Sequence, residues 1–387
     1  MEDIKLQGYA RSEGVFGIRN HVIVVSSVVC ANTIVEKIAA ADEDVVMITH
    51  QHGCDHIGDD REQVLRTLAG ICNNPNVGGV LLVGLGCENV SVDDIAKGVN
   101  TENRIVRKLR IHELGDLAAI LDAAKASLSD IKQFVSRQEK TAFGIKDLVV
   151  GLECGASDPF SGITANPAVG KVSDRLVAEE ATVMLAEVPE MIGAKDILAE
   201  RIDDDAVREA LFLRIDSYVD VAKRAGSDLR GINPTPGNIR AGLSTLEEKS
   251  IGAISKAGSS KIKEFVPYAG KPRSKGLVIM DTPGNDAESI TGEVAGGAQV
   301  ILFTTGMGTP IGSPVAPVIK IASNTKVFKH MRGFVDIDAG KVVEGVALEE
   351  VGDEVFRFLI EVCNGKETAS ELNGSREFSI NRIGPSF

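Results

Sequence analysis

The segment at residues 49–56 (THQHGCDH) concentrates side chains that bind metal ions. His50, His52, Cys54, Asp55 and His56 occur within seven residues. Imidazole combined with thiolate or carboxylate suits Fe(II), Zn(II) or Mn(II). The segment follows a predicted strand, so its side chains should fan out at a sheet edge. We favour a functional role for His50 and Cys54 together, whereas an exposed loop position is an equal alternative for His56.

Four of the six cysteines share a position at, or just beyond, the end of a predicted strand. They are Cys30, Cys54, Cys87 and Cys154. Ligands of open parallel sheets collect outside the carboxyl ends of the strands, and a following helix N-terminus lowers the pKa of a thiol. Cys72 and Cys363 instead lie within helical patterns, where a buried apolar role is expected.

Two arginines bracket a glycine-containing segment near the start of the chain, at residues 9–20 (YARSEGVFGIRN). The planar guanidinium groups of Arg11 and Arg19 suit bidentate binding of a substrate carboxylate. A salt-bridged strand end is an equal alternative for Arg19.

Residues 154–167 (CGASDPFSGITANP) are dense in small polar side chains and lead into a predicted helix, whose free N–H groups can meet an anion. The candidate substrate-binding residues are Ser157, Asp158, Ser161 and Asn166, with Asn233 and Asn238 from the loop NPTPGN. Lys249 is a candidate general acid or base if desolvated, although a solvated helix lysine is commoner. Neither a phosphate-binding P-loop nor a GxGxxG motif is present, which disfavours nucleotide hydrolysis and a dinucleotide site.

Short apolar runs alternate with amphipathic segments along the chain, which predicts parallel sheets with helices on both faces. The predicted fold class is α/β with two Rossmann-like units, an N-terminal domain at residues 1–140 and a C-terminal domain at 141–387. The predicted strands are 21–30, 44–49, 77–85, 147–152, 181–186, 275–281 and 299–304. The predicted helices are 31–41, 59–73, 91–97, 114–127, 166–179, 204–224 and 349–364.

Composition excludes several classes of function. The formal net charge is −13, which opposes binding to nucleic acid or to an anionic membrane. No apolar run approaches the roughly 20 residues that cross a bilayer, and no secretion signal is visible. Six cysteines among 387 residues are too few for a disulfide scaffold, so a reducing cytoplasmic location is expected.

The order of the motifs resembles the altronate/galactarate dehydratase family of sugar-acid hydro-lyases. The matching segments begin with GYARSEGVFGIRN, VVCANT, TH-x-x-GC (residues 49–54) and VGLGCE. They continue with GLECGASDPFSGITANPAVG, EVPE, NPTPGN, STLEEKSIGAISKAG, MDTPGNDAESITGEVAGGA and FTTGMGT. They span nearly the whole chain. The resemblance implies a metal-dependent enzyme, typically with Fe(II), that removes water from a sugar acid to give a 2-keto-3-deoxy acid.

The resemblance also implies a partner. Some members carry a small N-terminal β-rich domain, whereas this sequence starts directly at the GYAR segment, so a separate small subunit is expected to supply that domain. The two-subunit relatives include sulfolactate sulfo-lyase, which eliminates sulfite, and a homo- or hetero-oligomer is therefore expected.

Together, the residues and the resemblance predict β-elimination from a 2-hydroxy carboxylate. The predicted metal donors are His50, His52, Cys54, Cys87 and Cys154. They would hold Fe(II), with Mn(II) or Mg(II) possible, and His52 or Glu88 would take the C2 proton. In an alternative, three cysteines hold a 4Fe–4S cluster. An alternative from another class is a non-catalytic sugar-acid-binding or regulatory subunit.

Overall fold

The computed structural model describes residues 4–387, apart from the side chains of residues 230 and 231. Residues 1–3 of the predicted first domain therefore lie outside the described part. The predicted α/β class is confirmed, because two parallel sheets of four and seven strands account for most of the strands. None of the helices described is long and apolar enough to cross a membrane.

The described residues form fourteen strands. They are β1 (Lys5–Ser12), β2 (Val15–Gly17), β3 (His21–Ser26), β4 (Val45–Ile48), β5 (Val77–Gly84), β6 (Ile105–Arg110), β7 (Lys140–Gly144), β8 (Val149–Gly155), β9 (Thr182–Leu185), β10 (Ile262–Val266), β11 (Gly276–Met280), β12 (Val300–Thr305), β13 (Val318–Ala322) and β14 (Ile337–Asp338).

The same residues form fifteen α-helices. They are α1 (Asn32–Ala40), α2 (Gly58–Asn73), α3 (Val92–Lys97), α4 (Ile111–Leu114), α5 (Leu117–Val135), α6 (Ala165–Ala178), α7 (Lys195–Ala199), α8 (Asp205–Arg224), α9 (Leu229–Ile232), α10 (Pro236–Arg240), α11 (Leu246–Ser255), α12 (Asp286–Ala295), α13 (Thr325–His330), α14 (Leu348–Cys363) and α15 (Ala369–Leu372). Five short 3₁₀ helices connect them, at Val29–Ala31, Ile145–Asp147, Pro159–Gly162, Val188–Ala194 and Gly340–Val342.

The first unit is built on a parallel sheet in the order β4-β3-β5-β6. Its central strand β5 (VGGVLLVG) is buried along its whole length, as expected for a parallel strand covered on both faces. Helices α1 and α5 pack on one face of this sheet, while α2 and α3 cover the other.

The second unit is built on a seven-stranded parallel sheet in the order β10-β11-β9-β8-β12-β13-β14. Strands β8, β9, β11 and β12 occupy its centre, and the last three of them are fully buried. Because all these strands are parallel, their carboxyl ends meet at one edge, where the loops after β8, β9 and β11 come together.

A third sheet was not predicted. It is antiparallel, in the order β2-β1-β7, and pairs residues near the start of the chain with Lys140–Gly144. Strand β7 is mostly exposed, so it lacks the buried apolar run by which the parallel strands are recognised. The proposed boundary at residue 140 falls within β7, and the division into two domains stays a prediction.

The two units are held together by the packing of α2 against α12. Gly70 allows the close approach, because a Cβ at this position would lie 2.4 Å from the carbonyl oxygen of Ala295. Asn76 adds a buried link, since its side-chain amide donates to the carbonyls of Gln299 and Val315 at 2.8 and 3.0 Å. The segment after α15 then returns to the first unit, where Arg382 pairs with Asp60.

Candidate functional site

The histidine-rich loop lies after β4, as predicted, but its ring nitrogens are already in use. His50 is buried, and its Nε2 lies 2.8 Å from the carbonyl oxygen of Ser26, to which it donates. Its Nδ1 accepts from the backbone N–H of His52 at 3.1 Å. Burial lowers the pKa of His50 to about 4, so the ring is neutral and both nitrogens stabilise the loop.

His56 has a comparable structural role. Its Nε2 accepts from the N–H of Gly53 at 2.9 Å, and its Nδ1 donates to Asp60 at 2.8 Å. Asp60 also pairs with Arg382 at 2.7 Å and accepts from the N–H of Ile383. Burial raises the pKa of Asp60, but the bonds from Arg382 and Ile383 outweigh it and hold the pKa well below its usual range.

His52 is the histidine of this loop whose ring is partly open. Its centroid lies 6.1 Å from that of His50 and 5.7 Å from that of His56. Burial and the neighbouring Arg382 lower the pKa of His52. It is therefore neutral near pH 7, as a general base must be, and its predicted role stays a prediction.

Cys54 and Cys87 lie close enough to influence one another, while Glu88 is held by its own loop. Cys54 is half-buried and Cys87 is exposed. Burial raises the pKa of Cys54, and Asp55 and Cys87 add to the effect. Glu88 accepts from the Ser27 hydroxyl at 2.7 Å and from a backbone N–H at 2.6 Å. These bonds outweigh burial and lower the pKa of Glu88, which makes it a weak base.

The predicted metal donors are not assembled into one site. Four of them lie on the loops of the four-stranded sheet, whereas Cys154 ends β8 of the other sheet. Among the side chains that the structure describes, no group of three His, Cys, Asp or Glu residues is arranged to hold a metal ion. The role of these five residues as metal donors therefore stays a prediction.

A second cluster lies at the carboxyl edge of the seven-stranded sheet, around Cys154. The Lys256 ammonium is 2.6 Å from Glu187 and 3.0 Å from the Cys154 sulfur. All three residues are buried. Burial, together with Glu187, raises the pKa of Cys154 to about 12. Lys256 itself keeps a pKa well above its usual value, because Cys154 and Glu187 outweigh the effect of burial.

Glu187 reaches this position through a strained backbone. It follows β9 with φ +65°, in the left-handed region that non-glycine residues rarely adopt. Thr282 supports the turn, since its hydroxyl accepts from the Glu187 N–H at 2.6 Å. Glu187 in turn accepts from the N–H of Cys154 at 3.0 Å. Strain held in place by neighbouring groups is typical of functional sites.

Lys249 lies two turns before Lys256 and faces the same edge. Its ammonium donates to Glu190 at 3.0 Å and to the side-chain oxygen of Asn233 at 2.8 Å. Burial raises the pKa of Glu190 although Lys249 opposes it, and the second carboxylate oxygen of Glu190 is buried without a hydrogen-bond partner among the described residues. The predicted residues Lys249 and Asn233 are thus brought together, next to a Glu190 oxygen that has no described hydrogen-bond partner.

Asp286 completes the cluster from the first turn of α12. Its carboxylate lies over Gly155, where an added Cβ would come within 2.2 Å of the Asp286 oxygen. Burial raises the pKa of Asp286 to about 7, and the nearby Glu187 and Glu190 add to this shift. A carboxyl group with such a pKa exchanges protons readily at neutral pH.

Two further carboxyl groups lie beneath the cluster. Burial raises the pKa of Glu293 to about 8, and its Oε1 accepts from the N–H of Leu152 at 3.0 Å. Burial also raises the pKa of Glu153 well above its usual range, and Glu187 and Glu293 add to it. Both are fully buried, so they act on the site through their electrostatic interaction with Glu187 and not by contact with a ligand.

A cavity of about 330 Å³ opens beside this cluster. Its lining includes six residues that were predicted for substrate binding, catalysis or metal binding: Cys154, Ser157, Asp158, Ser161, Asn166 and Lys249. Lys249 is the single lysine or arginine among the described lining residues, and an anion in the cavity would meet its ammonium group.

Several predicted substrate-binding residues already form hydrogen bonds with other groups of the protein. Asp158 accepts from Ser161, Ser323 and Asn324, and so fixes the start of the following 3₁₀ helix. Asn166 donates to the Gly252 carbonyl and accepts from Thr304. Asn238 donates to the carbonyl of Ser157 at 2.9 Å and accepts from Thr235 at 2.8 Å.

The two predicted arginines lie away from this cavity and bind other parts of the chain. Arg11 donates to the carbonyls of Pro75 and Asn103 and to two side-chain amides. Arg19 pairs with Glu371 at 2.8 Å and donates to the carbonyl of Val362. For Arg19 this is the salt-bridged alternative that the sequence left open, and the substrate role of both arginines stays a prediction.

Lys256 and Asp286 were not predicted from the sequence. Lys256 is seven residues after Lys249, a spacing that places both lysines on one face of a helix, and this signal was available. Asp286 is the last residue of the polar segment DTPGND, which was noted only as part of the family resemblance. Its contact with Gly155 brings together residues far apart in the chain.

Comparison with known proteins identifies the family. The family described as D-galactarate/altronate dehydratase, C-terminal, matches residues 145–386, and the second domain of D-galactarate dehydratase/altronate hydrolase matches residues 8–135. The altronate dehydratase of Bacillus subtilis is 34% identical over 99% of this chain and 78% of its own length. The galactarate dehydratase (L-threo-forming) of Escherichia coli is 36% identical over 95% of this chain and 74% of its own length.

A third relative matches over nearly its entire length. The (2R)-sulfolactate sulfo-lyase subunit beta of Chromohalobacter salexigens is 34% identical, over 97% of this chain and 97% of that subunit. The matches confirm the resemblance on which the sequence analysis relied, and they favour an enzyme over a non-catalytic binding subunit. The chain therefore belongs to the galactarate/altronate dehydratase family of lyases.

Proposed function

We propose that this enzyme removes water from a sugar acid by β-elimination, in the cavity beside Lys249. The observation that carries the proposal is the convergence of Lys249, Glu190 and Asp286 at the carboxyl edge of the central sheet. Lys249 lines the cavity and supplies a positive charge for a small anion. Glu190, which accepts from Lys249, lies behind it and keeps one buried oxygen without a described partner. Membership of a family of hydro-lyases supports the same reaction.

In the proposed reaction, Lys249 binds the substrate carboxylate and Asp286 takes the proton from C2. The electron pair of the C2–H bond forms the C2–C3 double bond, and the bond from C3 to its hydroxyl breaks. Asp286 returns its proton to the departing hydroxyl, which leaves as water. The enol then ketonises to a 2-keto-3-deoxy acid.

Electrostatics favour this sequence of steps. The negative charge that develops on the substrate carboxylate as C2 loses its proton is stabilised by the Lys249 ammonium, held in place by Glu190 and Asn233. The pKa of about 7 allows Asp286 to accept a proton and then to donate it. Lys256 is too deeply buried to meet the substrate, so its role is to hold Glu187 and Cys154 in position.

A turnover assay tests the proposal. The purified chain is incubated with altronate, galactarate and racemic sulfolactate in turn, and 2-keto acid is measured as its semicarbazone. We expect product from a sugar acid, and we expect Lys249→Met to abolish it. Lys326→Met is the control, because Lys326 lies on α13, outside the cavity lining. Full activity of Lys249→Met would reject the site.

Sulfite release is the second candidate reaction. It is supported by the relative from Chromohalobacter salexigens, a sulfolactate sulfo-lyase subunit that is as similar to this chain, at 34% identity, as the altronate dehydratase. Sulfite released from sulfolactate can be measured with a disulfide reagent in the same assay. Sulfite together with pyruvate, and no product from the sugar acids, would identify the sulfo-lyase reaction.

We also propose that the chain binds a small partner subunit. The relative from Chromohalobacter salexigens is named as a subunit, and the small subunit of this system would carry the β-rich domain expected from the family. Co-expression of the chain with a small protein encoded beside it, followed by affinity purification, tests the complex. Turnover that appears only when both proteins are present is the expected result.

The metal requirement predicted from the sequence stays a prediction. Metal analysis of protein purified without oxygen, with iron and manganese measured per chain, tests it. A visible absorption band from thiolate–iron bonds would indicate the 4Fe–4S alternative, whereas metal without such a band would indicate a single ion.

A further inference from the structure

A second cavity lies between the two units, at the opposite edge of the sheets from the candidate active site. Its volume is about 590 Å³, within the usual range for small-molecule sites. Its walls include Val149 and Thr182, which are the first residues of β8 and β9. The cavity therefore lies at the amino ends of these strands. The candidate active site lies at the carboxyl ends of the same strands. We refer to this second cavity as the basic pocket.

The charge of the basic pocket is opposite to that of the protein. Its lining contains one carboxylate, Asp147, and six cationic side chains: Arg11, Arg66, Arg104, Lys271, Arg273 and Lys275. The whole chain, in contrast, carries a formal net charge of −13. The pocket therefore has an excess of five positive charges, whereas the net charge of the whole chain repels anions.

Within the described part of the chain, the six cations form no direct ion pair, although Glu62 and Asp59 lie near enough to Arg66 to offset part of its charge. No ion pair within 4 Å joins any of them to a carboxylate among the described residues. Arg11 and Arg104 are 3% and 4% exposed, yet their guanidinium groups donate to backbone carbonyls such as those of Pro75 and Val77 and to side-chain amide oxygens. Carbonyls and amides satisfy the hydrogen bonds but leave the positive charges uncompensated.

The uncompensated charge is strong enough to affect the pocket's own groups. Burial, and then the nearby Arg104, lower the pKa of Arg11 to about 9. Arg66 donates through Nε to the carbonyl of Tyr268. Lys271 and Arg273 are exposed at the rim, and their charged ends bond to no described residue. These rim groups can contact a ligand without giving up an existing bond.

We infer that the basic pocket binds a small anion, a phosphate or a carboxylate, that carries two or more negative charges. Guanidinium groups pair with phosphate and carboxylate alike, and a ligand of this class would neutralise the excess charge that the protein leaves unpaired. Both units contribute cations, Arg66 and Arg104 from the first and Lys271 and Arg273 from the second. The ligand would therefore link the two units. The inference does not depend on the reaction proposed above.

Calorimetric titration of the full chain in a low-salt, metal-free buffer tests the inference. Pyrophosphate and citrate are titrated separately, so that the two arms distinguish phosphate from carboxylate chemistry. We expect saturable binding of at least one of them, with one site per chain. Lys271→Gln/Arg273→Gln should weaken this binding roughly tenfold or more, because two charged contacts are lost.

The control variant is Lys125→Gln/Arg137→Gln, which removes the same charge from exposed positions outside the basic pocket. It should change the affinity less than about twofold. Thermal unfolding without ligand should be the same for both double variants and the native chain, since all four side chains are exposed. The inference is overturned if neither anion binds at concentrations up to roughly 1 mM, or if both double variants weaken binding equally.

Discussion

Substitution of Lys256 by Met should destabilise the protein strongly, because it breaks an ion pair that water cannot replace. Lys256 and Glu187 are 2.6 Å apart, and their side chains are 1% and 2% exposed. Methionine keeps most of the aliphatic volume, so the change removes mainly the charge. Loss of one partner from a buried pair typically costs about 3–5 kcal/mol.

The neighbouring groups place the cost at the upper end of this range. Without the ammonium, Glu187 remains buried beside Glu153, Glu190 and Glu293, all of which have raised pKa values that burial and mutual repulsion produce. The sulfur of Cys154 also loses its contact with Lys256 at 3.0 Å. Lys256→Met should therefore lower the free energy of unfolding by about 5 kcal/mol.

Urea unfolding followed by circular dichroism at neutral pH measures this difference. Adding Glu187→Gln to Lys256→Met should recover part of the loss, because a neutral buried pair carries no uncompensated charge. Lys97→Met is the matched control: Lys97 is 77% exposed, and its pair with Asp94 should contribute less than about 1 kcal/mol. A loss below about 1 kcal/mol for Lys256→Met, or a further loss in the double variant, would refute the reasoning.

Three further predictions concern other parts of the molecule. Asp286→Asn should abolish turnover. Its urea midpoint should exceed that of the native chain at pH 8 but not at pH 4. The reason is that a carboxyl whose pKa is raised to about 7 binds a proton more tightly in the folded state, so the native protein becomes less stable as the pH rises and this proton is lost. Gly70→Ala should cost about 1–3 kcal/mol by thermal unfolding, because the new Cβ would lie 2.4 Å from the Ala295 carbonyl; Gly237→Ala, with 3.7 Å of space, is the control. Arg382→Met should cost about 2 kcal/mol in urea near neutral pH, and this difference should shrink in acid as the Asp60 carboxylate becomes protonated.

Much of the fold could be predicted because buried parallel strands have a strong local signature. Strand β5, for example, is apolar at nearly every position, and its predicted range of 77–85 differs from the observed Val77–Gly84 by one residue. Strand β6 (IVRKLR) was missed, since it lies at the sheet edge and carries exposed charges. Strands β1 and β7 were missed for a related reason, because their pairing joins segments about 130 residues apart.

The candidate site was less predictable, because the sequence shows which groups are present but not which partners they find. Lys249 and Asn233 were selected and do meet at the cavity. His50 has the right chemistry for a metal ligand, yet both ring nitrogens bond to the backbone, and only the folded loop shows this. Lys256 looks like an ordinary helix lysine until the fold places it beside Glu187.

The return of the last segment to the first unit has a consequence for synthesis of the protein. Asp60 meets Arg382 across a sequence separation of 322 residues. During translation, Asp60 in the first turn of α2 therefore lacks this partner until nearly the whole polypeptide has been made. Chains that stall within the second unit should therefore leave Asp60 and the adjoining His56 without the Arg382 contact that completes this part of the fold.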